Sequence, residues 1–249
     1  MPSHRFYIPP DSWTPESLVL SEDESHHCLN VLRLGEGDKV VAFDGRGSEV
    51  NSTVASADKG AVRLAPATAH KSPEFATRIA LGQAGPNGKT MDLIIEKATE
   101  IGVAEIHPLL SDRTVIKLDP AEREKKRDKW QRVAIEACKQ SGQNHLPSVG
   151  TPKTPEQFFA AAPKYDLLLV ASLQPGSKHL KELLAEHADE TGAAPTSVLI
   201  LIGPEGDYTP AEINLSQNAG CRPMTLGPIV LRTETAAIYS LSVLAYELL

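Results

Sequence analysis

The chain has 249 residues, 41% hydrophobic and 23% charged, with 32 acidic against 25 basic side chains and a formal net charge of −7. That length is enough for one large domain or two smaller ones whose cores need no disulfide support. The acidic balance excludes a generally basic nucleic-acid coat but leaves room for a local basic patch.

Cys28, Cys138 and Cys221 lie far apart and form no metal-ligand spacing, which points to reduced thiols and no metal. The start, MPSHRFYIPPDSW, has no apolar leader core, and no apolar run approaches a membrane span. A soluble, cytoplasmic protein is expected.

Residues 1–70 read as β-rich. Arg5 to Ile8 is a strand stopped by Pro9-Pro10, and Asp38 to Gly45 is a strand entering a turn. Ser48 to Ala55 and Ala61 to Leu64 follow, with Asp58-Lys59-Gly60 as a hairpin turn, and His26 to Leu32 suggests a short helix. Short strands with Gly turns suggest a small barrel. A domain boundary is expected in the polar segment Thr68 to Pro73.

From Ala76 strands alternate with helices. Arg78 to Gly82 is a strand, and Lys89 to Ile101 is a helix stopped at Gly102, with Met91, Ile94, Ile95, Ala98 and Ile101 at helical spacing. Glu105 to Leu110 is a strand, and Ala121 to Gln140 a long charged helix broken at Gly142. Asp166 to Ser172 and Val198 to Gly203 are almost wholly apolar, as strands buried on both faces are. Thr209-Pro-Ala-Glu212 sets an N-cap, an N1 proline and a capping-box glutamate in order. Thr233 to Leu249 is the final helix. The alternation predicts an α/β fold with a mostly parallel, doubly wound sheet.

Several motifs bear on chemistry. Gly82-Gln-Ala-Gly-Pro-Asn-Gly-Lys-Thr90 sits where a P-loop belongs, but five residues separate Gly82 from Gly88 where the motif needs four. His26-His27 has no partner at ligand spacing and reads as a surface or capping pair. The charge run Glu122 to Arg132 reads as a solvated helix face. Gly203-Pro-Glu-Gly206 is a strand-to-helix turn that has no structural need for a carboxylate at Glu205. In Arg232-Thr-Glu-Thr235, Thr233 is a candidate N-cap and Glu234 suits the helix dipole. Arg232 opposes that dipole, and an Arg so placed calls for a carboxylate, a phosphate or a developing anion.

These segments together resemble the SPOUT-class RNA methyltransferases, specifically the bacterial RsmE-type family that methylates N3 of a uracil in 16S ribosomal RNA. The resemblance runs nearly end to end. It takes in Arg5-Phe-Tyr7, His26-His-Cys-Leu-Asn-Val-Leu-Arg33 with Gly35 and Gly37-Asp38, and Asp92 to Gly102. It continues through Glu136-Ala-Cys-Lys-Gln-Ser-Gly142, Ile202-Gly-Pro-Glu-Gly206 and Leu226-Gly-Pro-Ile-Val-Leu-Arg-Thr-Glu-Thr-Ala236.

The resemblance implies a PUA-like N-terminal β-barrel over 1–70 and a SPOUT domain with a C-terminal trefoil knot over 71–249. It also implies a homodimer and S-adenosylmethionine (SAM) as cofactor. Residue by residue, it assigns the cofactor to Ser172, Ile202, Gly203, Pro204, Glu205, Gly206, Leu226, Gly227, Val230 and Leu231. It matches Arg232 and Glu234 to a charged pair beside the cofactor, and these two with Arg5 are the catalytic candidates. For RNA, Arg5 is the candidate holder of a phosphate or the target base, and Arg33 and Arg46 the local basic patch that a chain of net charge −7 needs. The partner would be small-subunit ribosomal RNA, free or as the assembled 30S subunit. Ile229 stands where many relatives carry Arg, and Asp207 where Gly is common. Two alternatives stay open: a non-catalytic RNA-binding or assembly factor of the same fold, and a nucleotide hydrolase using the near P-loop.

Overall fold

A computed structural model describes residues 4–58, 60–85, 88–114, 118–161, 164–174 and 176–249. The expected hairpin residue Lys59 and the Pro86-Asn87 part of the near P-loop lie outside the described residues. Contacts divide the chain into two units, Met1–Glu74 with Ile135–Leu146, and Phe75–Ala134 with Pro147–Leu249.

In the first unit, β1 (His4–Tyr7) runs parallel to β2 (Lys39–Phe43), and β2 is antiparallel to β3 (Ser48–Asp58). On β3 pair both β4 (Ala61–Leu64) and β5 (Ala69–Lys71). β5 falls in the polar segment expected to hold the domain boundary; its backbone pairing with β3 supplies what its exposed side chains do not. Alternating apolar positions put Phe6, Ile8, Val40, Ala42, Val50, Val62 and Leu64 into one core. The helix expected at His26 begins earlier. Ser21 caps α1 (Glu22–His26) by accepting from Glu24 N at 3.2 Å, and the chain widens into a π-turn over His27–Val31.

In the second unit, among the described residues, six strands form one parallel sheet in the order β11-β9-β10-β6-β7-β8. They are β6 (Arg78–Ala84), β7 (Glu105–Leu109), β8 (Ser148–Val149), β9 (Leu167–Ala171), β10 (Ser197–Ile202) and β11 (Arg222–Met224). The helices are α2 (Gly88–Ile101), α3 (Pro120–Ser141), α4 (Pro155–Ala161), α5 (Leu180–Thr191), α6 (Pro210–Asn218) and α7 (Thr233–Leu248); α3 belongs to this unit up to Ala134, and its residues from Ile135 on belong to the first. β8, β11 and α4 are too short to stand out in the sequence; α5 was missed although Leu180, Leu183 and Leu184 stand at helical spacing ahead of Gly192.

β10 is buried at every residue and lies beside β6, pairing Ile202 with Gln83 and Ser197 with Arg78. β6 leads outward to β7 and β8 on one side, and the sheet continues through β10, β9 and β11 on the other. The order therefore reverses between β6 and β10, the kind of switch point where open α/β sheets bind ligands at their carboxyl ends. The last helix buries Ala237, Leu241 and Leu244 and packs against α2, β6 and β10.

Candidate functional site

One pocket of about 680 Å³ opens at this carboxyl edge. Ala171, Ser172 and Leu173 follow β9, Ile202 to Asp207 follow β10, and Leu226 with Ile229 to Glu234 follow β11. Thr90 from α2 and Ala236 from α7 complete the lining. Of the cofactor residues expected from sequence, all line this pocket except Gly227, which adjoins it in the chain. Arg232 and Glu234 line it too.

The β10 loop is tightly made. Asp207 N donates to Pro204 O at 2.9 Å, closing the turn. A Cβ on Gly203 would sit 3.0 Å from Asp207 Oδ1 and 3.4 Å from Tyr208 N, so backbone approaches there that a side chain would block. Asp207 takes a φ of 62°, the left-handed region that Asp tolerates better than most residues. Its Oδ1 accepts from Tyr208 N at 2.7 Å. Burial pushes the Tyr208 phenol well above its ordinary pKa, keeping it a neutral donor to Ile202 O at 3.1 Å.

The start of α7 is tied to the same loop. The N-cap is Arg232, not Thr233, and the Arg232 side chain makes no capping bond. Thr233 is the first helical residue and its hydroxyl points the other way: Oγ1 donates to Gly203 O at 2.8 Å and accepts from Gln83 Nε2 at 3.0 Å. Gln83 is fully buried and also donates to Ala84 O at 2.9 Å. The strand expected to end at Gly82 runs on to Ala84, so Gln83, read in the sequence as part of the near P-loop, is a buried strand residue and this relay was missed. Among the described residues Arg232 forms no ion pair, so neither Glu205 nor Glu234 serves as its structural partner.

Two further residues hold the loop. Arg113, after β7, donates from Nη1 to Gly206 O at 2.5 Å. Glu212, read from sequence as a local cap, also reaches across to that loop. It accepts from Thr209 N at 2.8 Å and Thr209 Oγ1 at 2.9 Å, and from Asp112 N at 2.9 Å and Ser111 Oγ at 3.1 Å. Burial opposes its charge, but these donors outweigh burial and hold the carboxyl below its ordinary range.

Arg5, Arg33 and Arg46 belong to the first unit and do not line the pocket. Arg33 and Arg46 are exposed. The Arg5 side chain is only 12% exposed; Nη1 donates to Glu49 Oε2 at 3.1 Å and Nη2 to Asn144 Oδ1 at 2.5 Å, and the guanidinium lies over the Phe43 ring.

Comparison with known proteins agrees with this geometry. Residues 73–245 match a family model described as an RNA methyltransferase domain, and residues 20–66 match an RNA methyltransferase PUA domain. Ribosomal RNA small subunit methyltransferase E of Bacillus subtilis (strain 168) is 32% identical over 230 residues, 92% of this chain and 89% of that protein. The protein of that name in Synechocystis sp. is 30% identical over 96% of this chain and 76% of its own length. Among solved structures, a Legionella pneumophila protein in complex with bound SAM is 34% identical, with a TM-score of 0.87 over 98% of both chains. Ribosomal RNA small subunit methyltransferase E from Neisseria gonorrhoeae, bound to SAM, is 26% identical with a TM-score of 0.84 over 99% of this chain and 98% of that one. The fold and site thus define an RNA methyltransferase with a PUA domain. Within that class the chain belongs to the ribosomal RNA small subunit methyltransferase E family.

SAM suits the donor set present. The lining combines apolar Ile202, Leu226, Leu231 and Ala236 with the hydroxyl of Ser172. Glu205, Asp207 and Glu234 outnumber the single guanidinium of Arg232, an acidic balance matched to a cationic sulfonium. The N–H groups of Val230 and Leu231 make no hydrogen bond among the described residues and are free for a ligand.

Proposed function

We propose that this chain methylates N3 of a specific uridine in small-subunit ribosomal RNA. We assign 1–70 to a PUA-like RNA-binding domain and 71–249 to a SPOUT domain with a C-terminal trefoil knot. The observation that carries the reaction is that one pocket gathers the Gly203–Gly206 loop, the Leu226–Leu231 loop and an Arg232 that, among the described residues, has no carboxylate partner. Bound SAM supplies an electrophilic methyl group. Uracil N3 holds an imide proton and becomes nucleophilic only when that proton leaves. Arg232 then stabilises the imidate charge, and Glu234, which lines the same pocket, is the candidate proton acceptor. The N3 edge pairs in a helix, so the target base enters unpaired or flipped out.

The route of the last loop supports the knot: it leaves β11 at the sheet edge, and α7 starts against Gly203 and Gln83 at the ends of β10 and β6. Exposed Ile229 (71%), Val230 (74%) and Tyr246 (87%) support a homodimer that covers them, as a closed twofold pair would. The test is methyl transfer from labelled SAM to free small-subunit RNA and to assembled 30S subunits, followed by digestion to nucleosides and mass spectrometry. Label in 3-methyluridine is expected. Label in another nucleoside refutes N3, and SAM binding without transfer to either substrate leaves a non-catalytic RNA-binding factor.

A further inference from the structure

The exposed charges of α3 are sorted in a way a merely solvated helix does not require. Residues 120–134 hold six basic side chains against three acidic ones, in a chain whose net charge is −7. Each acidic residue is occupied. Glu122 Oε2 accepts from Asp119 N at 2.9 Å in a reciprocal cap. Glu124 and Asp128 both pair with Arg127, at 3.2 and 2.7 Å, and Glu124 also accepts from Thr151 Oγ1. Asp92 of α2 pairs with Lys129 at 2.5 Å. Among the described residues, Lys89, Lys125, Lys126 and Arg132 are left without a carboxylate partner.

These cations form a track. At about 100° per residue, Lys125, Lys129 and Arg132 share one face, turned away from the buried Trp130 and Ala134. Lys126 lies over the Trp130 ring, and its Nζ comes within 4.0 Å of where a Cβ on Gly88 would be. Gly88 and Lys89 open α2, and the next residue, Thr90, lines the pocket. The track therefore runs from the pocket lining onto the solvent face of α3.

We infer that this ridge, Lys89 and Lys126 leading to Lys125 and Arg132, holds the phosphate backbone of the RNA flanking the target nucleotide. The inference rests on the ribosomal RNA methyltransferase reading. Charge complementarity selects the occupant, since a polyanion is the partner for cations whose internal counter-charges are already spent. The position selects its role: strand next to a base seated in the pocket meets these side chains first. The RNA surface then includes residues of the second unit, whereas Arg5, Arg33 and Arg46 belong to the first.

The test is binding of a small-subunit ribosomal RNA transcript to the full-length protein between 50 and 200 mM salt, with SAM affinity measured in parallel. Lys125→Gln/Arg132→Gln should lower the slope of log affinity against log salt by about 0.7–0.9 per contact removed, hence about 1.4–1.8 in all. Lys89→Gln/Lys126→Gln should act in the same way. Arg132→Lys, which keeps the charge, should hold the wild-type slope, and SAM affinity should not move in any variant. Unchanged slopes with intact SAM binding overturn the inference while leaving the methyltransferase reading standing. Weakened binding to assembled 30S subunits alone, with free RNA bound normally, assigns the ridge to a ribosomal protein and also overturns it. Absence of methyl transfer by the wild type is the separate failure of the underlying reading.

Discussion

Replacing Thr233 by Val keeps the side chain's shape and removes only its hydroxyl. Two buried hydrogen bonds go with it: the donation to Gly203 O at 2.8 Å and the acceptance from Gln83 Nε2 at 3.0 Å. Gln83 keeps its bond to Ala84 O, but Gly203 O loses the hydroxyl that bonds it, and the place of that hydroxyl is buried, Thr233 being 4% and Gln83 0% exposed. A satisfied bond contributes about 1 kcal/mol net, and an orphaned buried group costs about 1–3 kcal/mol. Together the loss should be about 2–4 kcal/mol, or roughly 5–15 °C in melting temperature for a chain of this size. The same bonds fix the start of α7 against the β10 loop, so SAM affinity should fall as well. Thr233→Ser retains the hydroxyl and should recover most of both. Differential scanning calorimetry and a SAM titration on wild type, Thr233→Val and Thr233→Ser check this. A Val variant that melts within about 1 °C of wild type and binds SAM normally would falsify the proposed coupling of the two loops.

The remaining predictions concern single side chains. Arg232→Ala should slow single-turnover methyl transfer by about a hundred- to a thousand-fold with little change in SAM affinity, and Arg232→Lys should recover little; loss of SAM binding instead would make Arg232 a cofactor residue. Glu212 has its folded-state pKa held down, so its contribution to stability is present above the ordinary glutamate range and lost as pH falls through the folded value. Glu212→Gln should therefore flatten the acid side of the stability–pH curve, and a curve parallel to wild type would refute that linkage. Arg5→Ala breaks the bonds to Glu49 and Asn144 and should weaken RNA binding while leaving SAM binding intact; the reverse pattern in separate titrations would refute that division of labour.

Much of the architecture was legible from local signals. The apolar runs of β9 and β10 announced buried parallel strands, and Thr209-Pro-Ala-Glu212 announced the start of α6, because strand burial and helix capping are decided within a few residues. The two Gly-Pro loops marked where the chain turns at the sheet edge. Tertiary structure alone decided what those loops meet. That β10 lies beside β6 follows from burying surfaces more than a hundred residues apart, a choice no local propensity encodes. Thr233 reads equally well as an N-cap until Gln83, 150 residues away, is brought to its hydroxyl. Glu212 satisfies its own helix, yet its remaining lone pairs are taken by Ser111 and Asp112, about a hundred residues earlier. Arg5 reads as a free cation until Asn144 arrives, 139 residues later. Buried polar groups must be paired, and which partner each one finds is settled only when distant segments close around it.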